Sequence, residues 1–105
     1  MTRIDPTRTI ELLARRLRLR GAAHPVAGAV AQAARGASCL AVAEFSEEMN
    51  LTVDLVTRAE RGCVSFGLLP SQIGLAAAGT GADLFALAGL VREWCCSAES
   101  AASDG

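Results

Sequence analysis

The chain is 105 residues long, 51% apolar and only 4% aromatic, with a net charge of −1, so it can bury one modest core and has no room for a second domain. Its 21 alanines favour helices packed through small side chains over sheets of β-branched and aromatic residues. All ten basic residues are arginine: seven fall in residues 1–35 against Asp5 and Glu11, and three in residues 36–105 against nine acids, which gives halves of about +5 and −6 that would attract nucleic acid or each other.

Asp5-Pro6 predicts a helix start, because an aspartate oxygen accepts from free first-turn N–H groups and proline has no N–H to leave unpaired. The helix runs from about Pro6 to Arg20 with two apolar stripes. Ile10, Leu13 and Leu17, with Ala14 beside them, point one way; Leu12 and Leu19 point nearly the opposite way among Arg8, Arg15 and Arg16. Residues 1–21 are thus an arginine-rich amphipathic helix whose second stripe is either covered in the monomer, partly exposed, or packed on a second subunit. Gly21 ends it. His24-Pro25 opens a second helix to about Arg35, with Val26, Ala29, Val30, Ala33 and Ala34 inward. His24, the single histidine, reads as a capping or solvent-exposed residue and not as a catalytic one.

From Val42 to Arg61 the residues fit two short helices crossing steeply at a tight turn. Val42, Phe45 and Met49 form a buried face, Ser46 is the small residue at the approach, and Asn50 tolerates a left-handed turn position. Leu51 plugs the turn, Thr52 caps the second helix, and Val56 and Ala59 face inward. Pro70-Ser71 then opens a short helix carrying Ile73, Leu75 and Ala76, which Gly79-Thr80-Gly81 breaks. Thr80 with Asp83 predicts a capping box for a last helix, in which Leu84, Leu87, Val91 and Trp94 recur until Cys95 or Cys96. Trp94 is an anchor either for the core or for an interface. The expected architecture is all-α, a helix-turn-helix domain over 24–96 with the extra N-terminal helix over 1–21 and a disordered tail over 97–105.

The run Glu44-Phe45-Ser46-Glu47-Glu48-Met49-Asn50-Leu51-Thr52, continuing through Val56 to Ala59-Glu60-Arg61-Gly62, resembles the phage-repressor and Cro type of helix-turn-helix, the XRE family. The likeness spans about 70 residues, with helices near 25–35, 71–78 and 81–95 matching the family's five-helix repressor-like domain. It implies a homodimeric, sequence-specific regulator of double-stranded DNA whose second helix enters the major groove, with Thr52, Val53, Asp54, Thr57, Arg58 and Arg61 facing the duplex. Arg58 with Thr57 would read bases, and Thr52 and Arg61 would approach phosphate. The N-terminal helix would clamp the backbone or build the dimer.

Between Gly36 and Gly62 two arginines stand against five acids, so phosphate contact would fall to Arg58, Arg61 and the first helix. Asp54 has two readings, an acid that stabilises the first turn of its helix and an acceptor for cytosine N4. The same acidic face supports an alternative function, a non-enzymatic module that keeps the fold and binds a basic protein partner. An enzyme is not expected. There is one histidine, no spacing that pairs Cys or Ser with a base, and Gly79-Thr80-Gly81 lacks the strand and the Lys-Ser/Thr of a phosphate loop. Cys39, Cys63, Cys95 and Cys96 match no zinc spacing and are expected as reduced thiols, so neither metal nor cofactor is predicted. No apolar run approaches the ~20 residues of a bilayer span and the N-terminus is unlike a signal peptide, which predicts a cytoplasmic protein with no membrane partner.

Overall fold

The computed structural model describes the backbone of residues 5–103 and the side chains of residues 5–94. Among the described residues every regular element is helical, as the alanine-rich composition requires. In chain order they are α1 (Pro6–Leu19), α2 (Pro25–Ser38), α3 (Val42–Glu48), α4 (Val53–Glu60), a single 3₁₀ turn (Phe66–Leu68), α5 (Ser71–Gly79) and α6 (Leu84–Ser103).

The arrangement follows from α2. Its residues Val26, Ala27, Gly28, Ala29, Val30, Ala31 and Ala34 are all buried, and a helix apolar on nearly every side must be surrounded. It touches each of the other five helices. Small side chains permit this closeness, most of all at Gly28, where a Cβ would lie 2.8 Å from Leu17 Cδ1 and 2.9 Å from the backbone nitrogen of Gly62. The core around α2 gathers Ile10 and Leu17 from α1, Phe45 from α3, Val56 and Ala59 from α4, Ile73 and Ala77 from α5, and Leu87 from α6.

α1 begins as its sequence dictates, with Asp5 Oδ1 accepting from the Thr7 N–H at 3.0 Å. Its stripe Ile10, Ala14 and Leu17 joins the common core, while Leu12 and Leu19 stand exposed. The second stripe is therefore not covered within the monomer. The two segments 1–21 and 24–96, separated in the sequence reading, share one core here. They are tied together again at the other end of α1, where the Asp83 N–H donates to Thr7 Oγ1 at 2.8 Å. Trp94 packs partly buried against the core, under the Arg18 guanidinium at 4.6 Å from its ring centre.

Three expectations are corrected. The second helix does not stop near Arg35 but runs to Ser38, with Cys39 in the left-handed region at φ 56°; Arg35 carries an inward hydrogen-bonding role that needs helical backbone around it. The capping box at Thr80 is absent. Thr80 instead closes α5, its hydroxyl donating to the Ala77 carbonyl at 2.6 Å, and Asp83 alone caps α6, its Oδ1 accepting from the Phe85 and Ala86 N–H groups at 3.0 and 3.1 Å. The left-handed Gly81, φ 94°, separates the two helices between these residues and assigns one cap to each. Finally, the α6 backbone continues past Cys96 to Ser103, through a stretch whose sequence holds three alanines, the best helix formers. The side chains of Cys95 and Cys96, and the last residues of the expected tail, lie outside the described residues.

Candidate nucleic-acid interface

The segment from Val42 to Gly62 is built by short-range chemistry. Phe45 is fully buried, and the buried Ser46 satisfies its hydroxyl on the Val42 carbonyl at 2.7 Å, so a small polar residue enters the core without an unpaired group. α3 ends at Met49, and Asn50 takes the left-handed conformation at φ 57°, which turns the chain. The Leu51 N–H then reaches back to the Ser46 carbonyl at 2.8 Å. Thr52, extended, caps α4 by accepting from the Leu55 N–H at 3.1 Å. Gln72 of α5 steadies this turn by donating to the Met49 carbonyl at 3.3 Å.

Val56 and Ala59 are the fully buried residues of α4, and that orientation fixes where the rest of the helix points. Positions 53, 54, 57, 58 and 61 recur at steps of one and four residues and so share one stripe. Val53, Asp54, Arg58 and Arg61 are exposed along it, with the cap Thr52 exposed at its head and Thr57 half-buried. All six residues implied by the resemblance thus lie on one outward surface of α4 and its cap.

Electrostatics on this surface differ from the sequence count in two respects. Arg58 is paired along the helix with Asp54, Nη1 to Oδ2 at 3.4 Å, between two exposed side chains. Glu60 is turned inward. Its carboxylate accepts from Arg35 Nε at 2.8 Å and Nη2 at 3.1 Å, Arg35 Nη1 donates onward to the Leu40 carbonyl at 3.1 Å, and Gln32 Nε2 donates to the Glu60 carbonyl at 2.8 Å. The hydrogen bonds that Arg35 donates to Glu60 raise its pKa above the ordinary value; burial lowers it, and the charge of Glu60 raises it further. One of the five acids in the segment is therefore neutralised by α2 and clamps α4 to it. This clamp escaped the sequence reading, although the spacing held a signal: Glu60 follows Val56 by four residues and so shares its inward side.

The acids of α3 behave otherwise. Glu44, Glu47 and Glu48 are exposed, and among the described residues no cation lies within ion-pair distance of them. At the far end of α4, Gly62 adopts φ 76° and its carbonyl accepts from the His24 N–H at 2.9 Å. The α1–α2 turn is thereby held against the end of α4. Arg8 and Arg15 are both engaged with Glu11, at 3.3 and 2.9 Å.

Elsewhere, a half-open pocket of about 240 Å³ lies between the end of α1, the start of α2 and α6, walled by Val26, Phe66, Val91 and Trp94 with Arg18 and His24 beside them. Among the described residues no three His, Cys, Asp or Glu side chains are grouped to hold a metal ion, and no single helix is long and apolar enough to cross a membrane. No family model, no curated protein and no solved structure matches the chain.

Proposed function

We propose that this chain is a sequence-specific, DNA-binding transcriptional regulator of the repressor-like helix-turn-helix kind, acting as a homodimer and without catalysis. The observation that carries the reading is the α3–α4 unit: a left-handed Asn50, a Thr52 cap, and an α4 whose inward side is locked by Val56, Ala59 and Glu60 while Thr52, Val53, Asp54, Thr57, Arg58 and Arg61 face out. Such a helix fits the major groove. Arg58 and Thr57 read base edges, Thr52 and Arg61 hold phosphates, and the arginine-rich N-terminal helix adds phosphate contact. Because few cations are available, affinity depends on a small number of phosphates and falls less steeply with salt than for a strongly basic regulator.

One observation favours a second reading. Glu44, Glu47 and Glu48 on α3, exposed and without an ion-pair partner among the described residues, suit a basic protein partner, in which case the same fold serves as an interaction module. Selection of bound sequences from a random duplex pool at ~50 mM salt separates the two. The regulator yields an enriched motif, and Arg58→Ala costs about 1–3 kcal/mol while relaxing one position of it. No enrichment, together with capture of a protein that is released when Glu44, Glu47 and Glu48 are replaced by glutamine, would establish the module instead.

A further inference from the structure

Two of the four aromatic side chains in this alanine-rich sequence meet at one place. Phe45 is fully buried in the core and Phe85 stands in solvent, whereas Phe66 and Trp94, both half-buried, wall the half-open cavity of about 240 Å³ at the α1–α2 turn. Val26 at the start of α2 and Val91 on α6 add to its apolar lining, and no acid lines it. The volume falls just below the ~300–1,000 Å³ of drug-sized sites, which suits a body of one ring and not a fused or extended ligand. One charged side chain is held at this cavity. The Arg18 guanidinium lies 4.6 Å from the Trp94 ring centre, and among the described residues no acid comes within ion-pair distance of it, whereas Arg8 and Arg15 of the same helix share Glu11. Contact with the indole restrains Arg18 at the rim while leaving its N–H fork without an anion there, and that fork is complementary to a planar carboxylate. The positive end of the α2 dipole, which no side chain caps, lies at the same wall.

We propose that this pocket binds a small aryl carboxylate, with its ring against Phe66, Val91 and Trp94 and its carboxylate on Arg18. The ring takes apolar lining out of water, and the carboxylate supplies the anion for Arg18. A neutral ring of the same size forgoes the second gain, and an inorganic anion forgoes the first. The pocket shares no residue with the α4 stripe, so the proposal stands or falls independently of whether Thr52 to Arg61 contact a duplex.

Benzoate, phenylacetate and 3-phenylpropionate, which differ only in the spacer between ring and carboxylate, test this on the full chain without DNA. Trp94 is the sole tryptophan and the sequence has no tyrosine, so indole fluorescence reports on the pocket directly. At least one of the three should change it saturably with a dissociation constant of about 0.2–5 mM, as a ligand of ~10 heavy atoms allows. The same ligand should shift the NMR signals of the Val26 and Val91 amides and the Trp94 indole N–H before any in α3 or α4. Its neutral amide should bind at least about fivefold more weakly, and Arg18→Gln should remove that preference for the carboxylate. Val91→Phe, which fills the cavity, should abolish binding; if that variant folds poorly, Arg18→Gln still decides, because Arg18 is exposed and its loss leaves the core intact. The proposal is overturned if none of the three carboxylates moves the fluorescence or the pocket signals by ~20 mM. It is equally overturned if amide and carboxylate bind alike, if Arg18→Gln keeps the preference, or if the shifts map to a surface away from Val26, Val91 and Trp94.

Discussion

Gly62 is asked for two things that only glycine supplies together. Its φ of 76° lies in the left-handed region, and a Cβ there would stand 2.9 Å from the Ala22 Cβ and 3.0 Å from the His24 carbonyl oxygen. Gly62→Ala should therefore cost about 1–2 kcal/mol for the conformation and at least as much again for displacing the α1–α2 turn, read as a lowered urea midpoint with an unchanged slope. Glu60 presents the opposite case, a charged residue whose value lies in its partner. With Glu60 only 11% exposed and Arg35 31%, Glu60→Gln leaves a guanidinium half out of water without its anion, at a cost of about 2 kcal/mol, below the 3–5 kcal/mol of a fully buried broken pair. Equal stability of wild type and Glu60→Gln would show that the bridge is an ornament of the fold and not a clamp on α4.

Element boundaries here are set by caps, and the caps were the most legible feature of the sequence. Asp5, Thr52, Asn50 and Gly21 act where their chemistry placed them, because each works within three residues of chain. Thr80 and Asp83 show the limit: both residue types fit a capping box, and only the left-handed Gly81 between them, whose conformation depends on how α5 and α6 meet, decides that they cap different helices. The end of α2, expected near Arg35, was hidden for a similar reason, since Arg35 bridges to a residue 25 positions away. Asp83→Ala exposes two first-turn N–H groups of α6 and should cost about 1 kcal/mol. Hydrogen exchange should quicken at Phe85 and Ala86 first, while amides deep in α2 change only through the global stability.

At the scale of the whole molecule the six outward residues of α4 and its cap, five exposed and Thr57 half-buried, were legible from spacing, but their charge balance was not, because a count of residues cannot tell Glu60, held inside by Arg35, from Asp54, held outside by Arg58. That difference makes Asp54 the decisive position. It stabilises the first turn of α4 through the helix dipole, worth about 0.3–1 kcal/mol at an exposed site, and it occupies the guanidinium that the proposed regulator needs for DNA. Asp54→Asn should consequently move two measurements in opposite directions. Thermal stability falls slightly, while duplex affinity at ~50 mM salt rises severalfold, because Arg58 is freed for its base edge and one negative charge leaves the interface. The outcome that would reverse this assignment is weaker binding together with lost preference at a single cytosine, since an aspartate accepting from cytosine N4 contributes only at that base. Either result places α4 on DNA. Affinity unmoved by Asp54→Asn and Arg58→Ala alike would remove the α4 stripe from the interface and leave the acidic face of α3 as the surface through which the chain acts.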